Sequence, residues 1–167
     1  MTITVRRATE SDAKLVSALN ADVQALHAAA LPERFKPPGS GSFSSLETHE
    51  LFARPDNLVF LAYFDQQPAG YAHAEVIHRA ETSLTYAYEM VHVHHISVVS
   101  EYRRLGVGSA LLEAVRASGL DLGIALLALD VWSFNDGARA FFHRHGFDRY
   151  VERLWRRESL TAPKPPT

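Results

Sequence analysis

His95-Ile-Ser-Val98-Val-Ser-Glu-Tyr-Arg103-Arg-Leu-Gly106-Val-Gly108-Ser-Ala-Leu111-Leu112 is the stretch on which the fold turns. Its first part ends a long run, Leu84–Val99, rich in Tyr, Val and His, which reads as a strand. Its last part opens an apolar pattern over Gly106–Ser118 that reads as a helix, with Gly119 expected to close it. Gly106-Val107-Gly108 therefore lies at a strand-to-helix junction. The start of a helix leaves backbone N–H groups unpaired, and these groups and the helix dipole bind phosphate oxygens. Glycine lets the backbone come close, and Arg103 and Arg104 add charge suited to a pyrophosphate. Taken alone, the junction reads equally as a plain helix N-terminus with exposed arginines. A dinucleotide fingerprint would need Gly or Ala where Leu111 stands, and a P-loop would need Gly-Lys-Ser/Thr.

On the C-terminal side, Ile124–Trp132 reads as a buried strand. Asn135–His145 reads as a helix capped by Asn135 and closed by Gly146, and Phe147–Arg157 as a last strand. The Pro-rich tail, residues 161–167, is expected to be disordered. On the N-terminal side, Ile3–Ala8 opens as a strand, and Glu10-Ser11-Asp12 offers a cap. Apolar spacing then carries one helix to about Leu31, where Pro32 stops it. A short helix over Ser44–Arg54 follows, then strands Asn57–Phe64 and Gly70–His78 around a turn at Asp65-Gln-Gln-Pro68. This order is α/β with a mixed sheet, in one domain over residues 1–160.

The 167 residues suit one core, and a net charge of −2 gives no basic field for nucleic acid. The sequence has no cysteine, which excludes disulfides, thiolate-bound zinc and a cysteine acyl-enzyme. The N-terminus has no apolar signal region and no run reaches bilayer length, so a cytoplasmic protein without a membrane partner is expected.

The quoted stretch resembles motif A of the GNAT superfamily of N-acetyltransferases. A second stretch, Val131-Trp-Ser-Phe-Asn135-Asp-Gly-Ala138-Arg-Ala-Phe141-Phe142-His-Arg-His-Gly146-Phe147, is similar to that family's Asn-x-x-Ala-x-x-Phe-Tyr-x-x-x-Gly-Phe. The resemblance implies a GNAT fold: a mixed central β-sheet flanked by helices and splayed between the fourth and fifth strands. It implies acetyl-CoA as co-substrate. The pantetheine arm would lie along Ile96, Ser97 and Val98, and the pyrophosphate on Arg103, Arg104, Leu105, Gly106, Val107, Gly108 and Ser109. Asn135, Ala138, Phe141 and Phe142 would line the cofactor from the second motif. For Asn135, a plain helix cap is the competing reading. Where many members carry a tyrosine that protonates the departing thiolate, this chain has Phe142.

His92-Val-His94-His95 stands out. In a regular strand His92 and His94 share a face and His95 takes the other. Two ligands on a face lack a third, so no metal is expected. A protonated amine needs a base before it can attack. Within the resemblance, His92 falls where histone-acetylating members place a glutamate, and His92 with His94 where serotonin N-acetyltransferases place a histidine pair. His92 is read as the base and His94 as its assistant; the competing reading is that they pack beneath a loop. His27 is a candidate for the acceptor pocket, and the loop Pro32–Ser45, with Phe35 and Phe43, for its cover. Glu75 and Glu89 are either attractors of an amine or plain solvated strand residues. The implied reaction is direct transfer of an acetyl group to a primary amine in a ternary complex. A non-catalytic acyl-CoA sensor and a protein or peptide N-acetyltransferase are the alternatives. Acetyl-CoA and an amine are the expected partners, and a homodimer is left open.

Overall fold

Strand β2 (Asn57–Phe64) turns back into β3 (Gln67–Arg79) through Asp65 and Gln66, whose φ values are 44° and 67°. Two left-handed residues in succession match the twist of the strands they join. In the computed structural model, which describes residues 1–39 and 45–156, this hairpin is the middle of a five-stranded sheet. The order is β1-β2-β3-β4-β5, with β1 Ile3–Arg7, β4 Tyr88–Val98 and β5 Leu127–Leu129. The first four strands pair antiparallel, and β4 pairs β5 in parallel. That last ladder runs only from Val91–Leu127 to Val93–Leu129, while β4 continues to Val98 on β3 alone. The expected mixed sheet, open between its fourth and fifth strands, is therefore present. The expected tail 161–167 and Phe43 lie outside the described residues.

One irregularity governs β4. His73 pairs with His95, but the next residue, Ala74, pairs with Val93. His94 is thus an extra residue, a β-bulge, and a bulge flips the alternation beyond it. Val91 and Val93 before it, and Ile96 and Val98 after it, join the same apolar cluster. His92, His94, His95 and Ser97 are left to the opposite face. The expectation that His95 would face away from His92 fails for this reason.

The two faces carry different helices. Helix α4 (Val107–Asp121) lays Val107, Leu111 and Val115 on Ala72, Ala74, Val91 and Val93. On the other face α1 (Ala13–Leu19) brings Val16 and Leu19, and α3 (Ser45–Ala53) brings Leu51, onto Val59, Leu61 and Tyr71. The first long helix expected from the sequence is in fact two, because Asn20 separates α1 from α2 (Ala21–Ala30). Asn20 is 4% exposed and accepts a 2.7 Å hydrogen bond from the Tyr71 hydroxyl. Gly119 does not close α4. It lies inside the helix, where a Cβ would come within 3.0 Å of Val91 Cγ2, and the chain turns at Gly123, φ 78°.

Residues up to Asp130 form one compact unit, and those from Val131 form a second. The second contains α5 (Asp136–Arg144), capped as expected by Asn135 and followed by Gly146 with φ 83°. The strand expected over 147–157 is not formed in the described part, to Arg156. A strand exists only through a ladder, and this unit offers one helix and no second strand among its described residues. Tyr150, Val151 and Leu154 are exposed there.

Gly70 tests the closeness of β3 and β4. A Cβ on it would stand 2.4 Å from the Ser97 carbonyl oxygen and 3.2 Å from Val98 Cα. Gly70→Ala is expected to destabilise the protein by about 1–3 kcal/mol, as overpacking against backbone does. Urea unfolding measures it, and an unchanged midpoint would refute the close approach.

Candidate active site

Beyond Val93 the outer edge of β4 is open. Val91 N donates to Leu126 O on the β5 side, and Val99 N to Ala69 O on the β3 side, 2.9 Å each. Backbone direction alternates along a strand, so counting back from Val99 turns the N–H and C=O groups of Ile96 and Val98 toward the open edge. Arg103 Nε occupies Val98 O at 3.0 Å. Ser97, 4% exposed, points inward and donates its hydroxyl to Leu19 O at 2.8 Å. The side chain of Ser97 is therefore structural, and the groups left on the open edge are the N–H and C=O of Ile96 and the N–H of Val98, whose carbonyl Arg103 takes.

The loop after β4 runs directly into α4. Arg104 has φ 65° and Gly106 φ 92°, and Gly106 caps α4 without a side-chain hydrogen bond. Left-handed residues near a helix start gather N–H groups into an anion-binding concavity. The N–H groups of Val107, Gly108 and Ser109 make up the first turn, since the helical ladder begins with Ala110 N to Gly106 O. The two arginines differ. Arg103 also reaches Asp22 at 3.4 Å, while Arg104 is exposed and has no ion pair among the described residues. Leu105 is half-exposed. Asn135, Ala138, Phe141 and Phe142 lie together on α5 in the second unit. There Asn135 Oδ1 accepts from Ala138 N at 3.0 Å, and the Phe141 and Phe142 rings meet edge-on at 5.1 Å.

The bulge gathers more histidine than the sequence suggested. His92 and His94 are 4.9 Å apart between ring centroids, His94 and His73 are stacked at 4.8 Å, and His73 and His95 meet at 6.0 Å. His73 Nε2 lies 3.1 Å from Asn57 Oδ1. Asn57 Nδ2 already donates to Leu51 O, which leaves its oxygen to face His73, so His73 carries its proton on Nε2. His95 Nδ1 lies 3.1 Å from the Tyr71 hydroxyl, which has given its proton to Asn20, so His95 is protonated on Nδ1. Burial, aided by His94 and other neighbouring cations, pushes His73 down to about 3. Burial, then His94 and His27, push His95 down to about 4. Burial holds the Tyr71 hydroxyl well above its ordinary value. His92 is also lowered, first by burial and then by His94, against the raising effect of Asp130 and Glu75. His94 Nε2 lies 3.0 Å from Glu75 Oε2, and Arg54 holds Glu75 Oε1 at 2.6 Å. His27 stacks on Phe35 at 5.0 Å and is lowered by burial.

The sequence singles out His92, His94 and their neighbour His95, but not that His73, Tyr71, Asn20 and Arg54 are joined to them or to Glu75. The missed signal was the phase of the valines. Val91 and Val93 sit on odd positions and Ile96 and Val98 on even ones, a break that marks a bulge. Glu89, the other carboxylate weighed for an amine, pairs with His78 at 2.5 Å at the far end of β3 and β4. It lines a separate cavity of about 450 Å³ with Asp56, His78 and Asp121. Among the described residues no group of three or more His, Cys, Asp or Glu side chains could hold a metal ion, and no helix is long and apolar enough to cross a membrane.

The family model for the acetyltransferase (GNAT) family matches residues 21–147, and the chain belongs to that family. Its fold is shared by solved structures of low identity. A mutant form of the BH1408 protein from Bacillus halodurans is 18% identical with a TM-score of 0.87, over 93% of this chain and 99% of that chain. The aminoglycoside N-acetyltransferase AAC(6')-Iy in complex with CoA is 18% identical with a TM-score of 0.71, over 94% and 95%. An aminoglycoside acetyltransferase from an uncultured soil metagenomic sample, in complex with sisomicin, is 16% identical with a TM-score of 0.66, over 94% and 97%.

The buried neutral histidines link stability to pH. In the unfolded chain each binds a proton below its ordinary value of 6.5, whereas folded His95 waits until about 4 and His73 until about 3. Unfolding in this window takes up protons, so the contribution of these two histidines to stability is complete above pH 6.5 and is lost as pH falls through the window. Thermal melts are expected to show Tm falling from pH 7 to 5, and falling less in His95→Gln. Equal pH slopes in the two proteins would contradict the assignment.

Proposed function

We propose that the protein moves an acetyl group from acetyl-CoA to a primary amine by direct transfer in a ternary complex. The observation that carries this reading is the open β4 edge at Ile96 and Val98, which runs straight into the anion-binding start of α4. The edge suits the amides of a pantetheine arm, and the helix start suits a diphosphate. Arg104 adds charge, while Arg103 braces the loop against Asp22. The N–H of Val98 is the donor on this edge suited to the thioester oxygen as charge builds on it.

His92 supplies the base, assisted by His94. Its lowered proton affinity leaves it neutral at pH 7, ready to take a proton from the acceptor ammonium. The freed amine attacks the thioester carbon, the C–S bond breaks, and the second proton that the nitrogen must lose passes through water to the departing thiolate. Phe142 has no proton to give, so the leaving group depends on solvent. The acceptor panel should include small amines, aminoglycosides and peptides, since structural neighbours include aminoglycoside acetyltransferases.

Two measurements test the halves of this reading. Gly106→Glu puts a negative side chain at the left-handed residue of the anion site. Calorimetry should then detect no acetyl-CoA binding while circular dichroism stays native; retained affinity would remove the phosphate assignment. His92→Ala should lower turnover by about 10²–10⁴-fold, the usual loss for a general base, with acetyl-CoA affinity held. Full turnover in both His92→Ala and His94→Ala would place the base elsewhere. Acetyl-CoA binding without transfer to any acceptor would favour the sensor.

A further inference from the structure

The proposed base pair does not stand alone on its face of the sheet. The bulge gives His94 no partner of its own across the β3–β4 ladder, so backbone pairing does not dictate how its ring sits. Glu75 does. It lies on β3 in register with His92, yet its side chain reaches His94 Nε2 at 3.0 Å. Its other oxygen is held by Arg54 at 2.6 Å, and its side chain is 19% exposed. A carboxylate gripped at both oxygens has little freedom, so it fixes whatever it grips.

We propose that Glu75, held by Arg54, is a positioning residue for the His92–His94 pair. This rests on the reading of that pair as the source of the general base. A carboxylate only accepts, so His94 donates from Nε2, and the lone pair of His94 is on Nδ1. His73, stacked on His94 and itself bonded to Asn57, holds the plane of the His94 ring close to parallel with its own. His92 meets His94 edge-on, and its own nearest carboxylate is exposed Asp130 at 3.9 Å. When the pair gains a proton from the amine, Glu75 lies beside the new charge. The groups facing the pair are then Glu75 and Arg54, Asp130, and the histidines His73 and His95. The two buried histidines are neutral at pH 7 and Arg54 is spent on Glu75. The carboxylates of Glu75 and Asp130 are therefore what favours the protonated pair.

Glu75→Gln keeps the shape and removes the charge. It is expected to lower kcat by about 10- to 100-fold, as loss of an orienting carboxylate beside a catalytic histidine does, with KM for acetyl-CoA unchanged. Glu75 raises the proton affinity of His92, so the acidic limb of the pH–rate profile should move to lower pH. In a His94→Ala background Glu75→Gln should cost nothing further, because residues acting as one unit are not additive. Independent, multiplying losses, or an acidic limb that stays in place, would overturn the proposal. A second arm needs no turnover. The ¹⁵N shifts of the His94 imidazole should show Nε2 protonated and Nδ1 bare in the wild type, and both tautomers in Glu75→Leu. A His94 protonated on Nδ1, or a spectrum indifferent to Glu75→Leu, refutes the positioning role even if the wild type proves inactive. An inactive wild type with the expected spectrum refutes only the catalytic reading of the pair.

Discussion

The extra residue at His94 is the constraint from which the arrangement of this molecule follows. A strand has only two faces, and a single inserted residue exchanges them. Before the bulge, Val91 and Val93 are committed to α4. Had the alternation continued, His95 and Ser97 would face α4, and Ile96 and Val98 would face α1. The bulge returns Ile96 and Val98 to the α4 core and delivers His95 to Tyr71 and Ser97 to Leu19. The open edge of β4 begins at the same place, since pairing with β5 ends at Val93. The backbone irregularity therefore sets which side chains line each face of β4 just where its pairing with β5 ends.

The fold was largely legible because its decisive features are local. Gly106 and Gly108 at a strand-to-helix junction, and Asn135 three residues ahead of Ala138, declare their geometry through backbone chemistry. The Asp65–Gln66 turn was legible in the same way. Asn20 was not legible as a break, since nothing nearby in sequence says that Tyr71, on β3, will claim it. Gly119 misled because a helix-closing glycine and a glycine kept small for packing look alike; only Val91 distinguishes them. The last strand was over-read from composition, since β-branched and aromatic residues do not make a strand without a ladder. Glu75 was noticed and its bond to His94 was not, since that bond depends on a bulge.

The face beside the open edge combines two opposed electrostatic treatments of the same side chain. His73 and His95 are half-buried, held in fixed tautomers and kept neutral at pH 7 by desolvation. His92 and His94 lie nearer to solvent and to carboxylates. Neutral histidines beside His92 add no positive charge that would repel a proton arriving there. The same two histidines are those expected to make the fold sensitive to acid, so one face of the sheet carries both the proposed chemistry and the expected pH dependence of stability.

The pins on the N-terminal helices limit where the chain tolerates change. Leu19 and Asn20 are bound to Ser97 and Tyr71, and Asp22 to Arg103, so the helix break is fastened to β4 and to the loop before α4. The turn after α2 is tied back to that helix, with Gln24 reaching Lys36 O across it and Phe35 stacked on His27. Drift within the break is answered at once by β3 through Tyr71 and by β4 through Ser97. Lineages descended from this architecture should hold Asn20 and Tyr71 together, as a coupled pair, because each side chain is the other's partner.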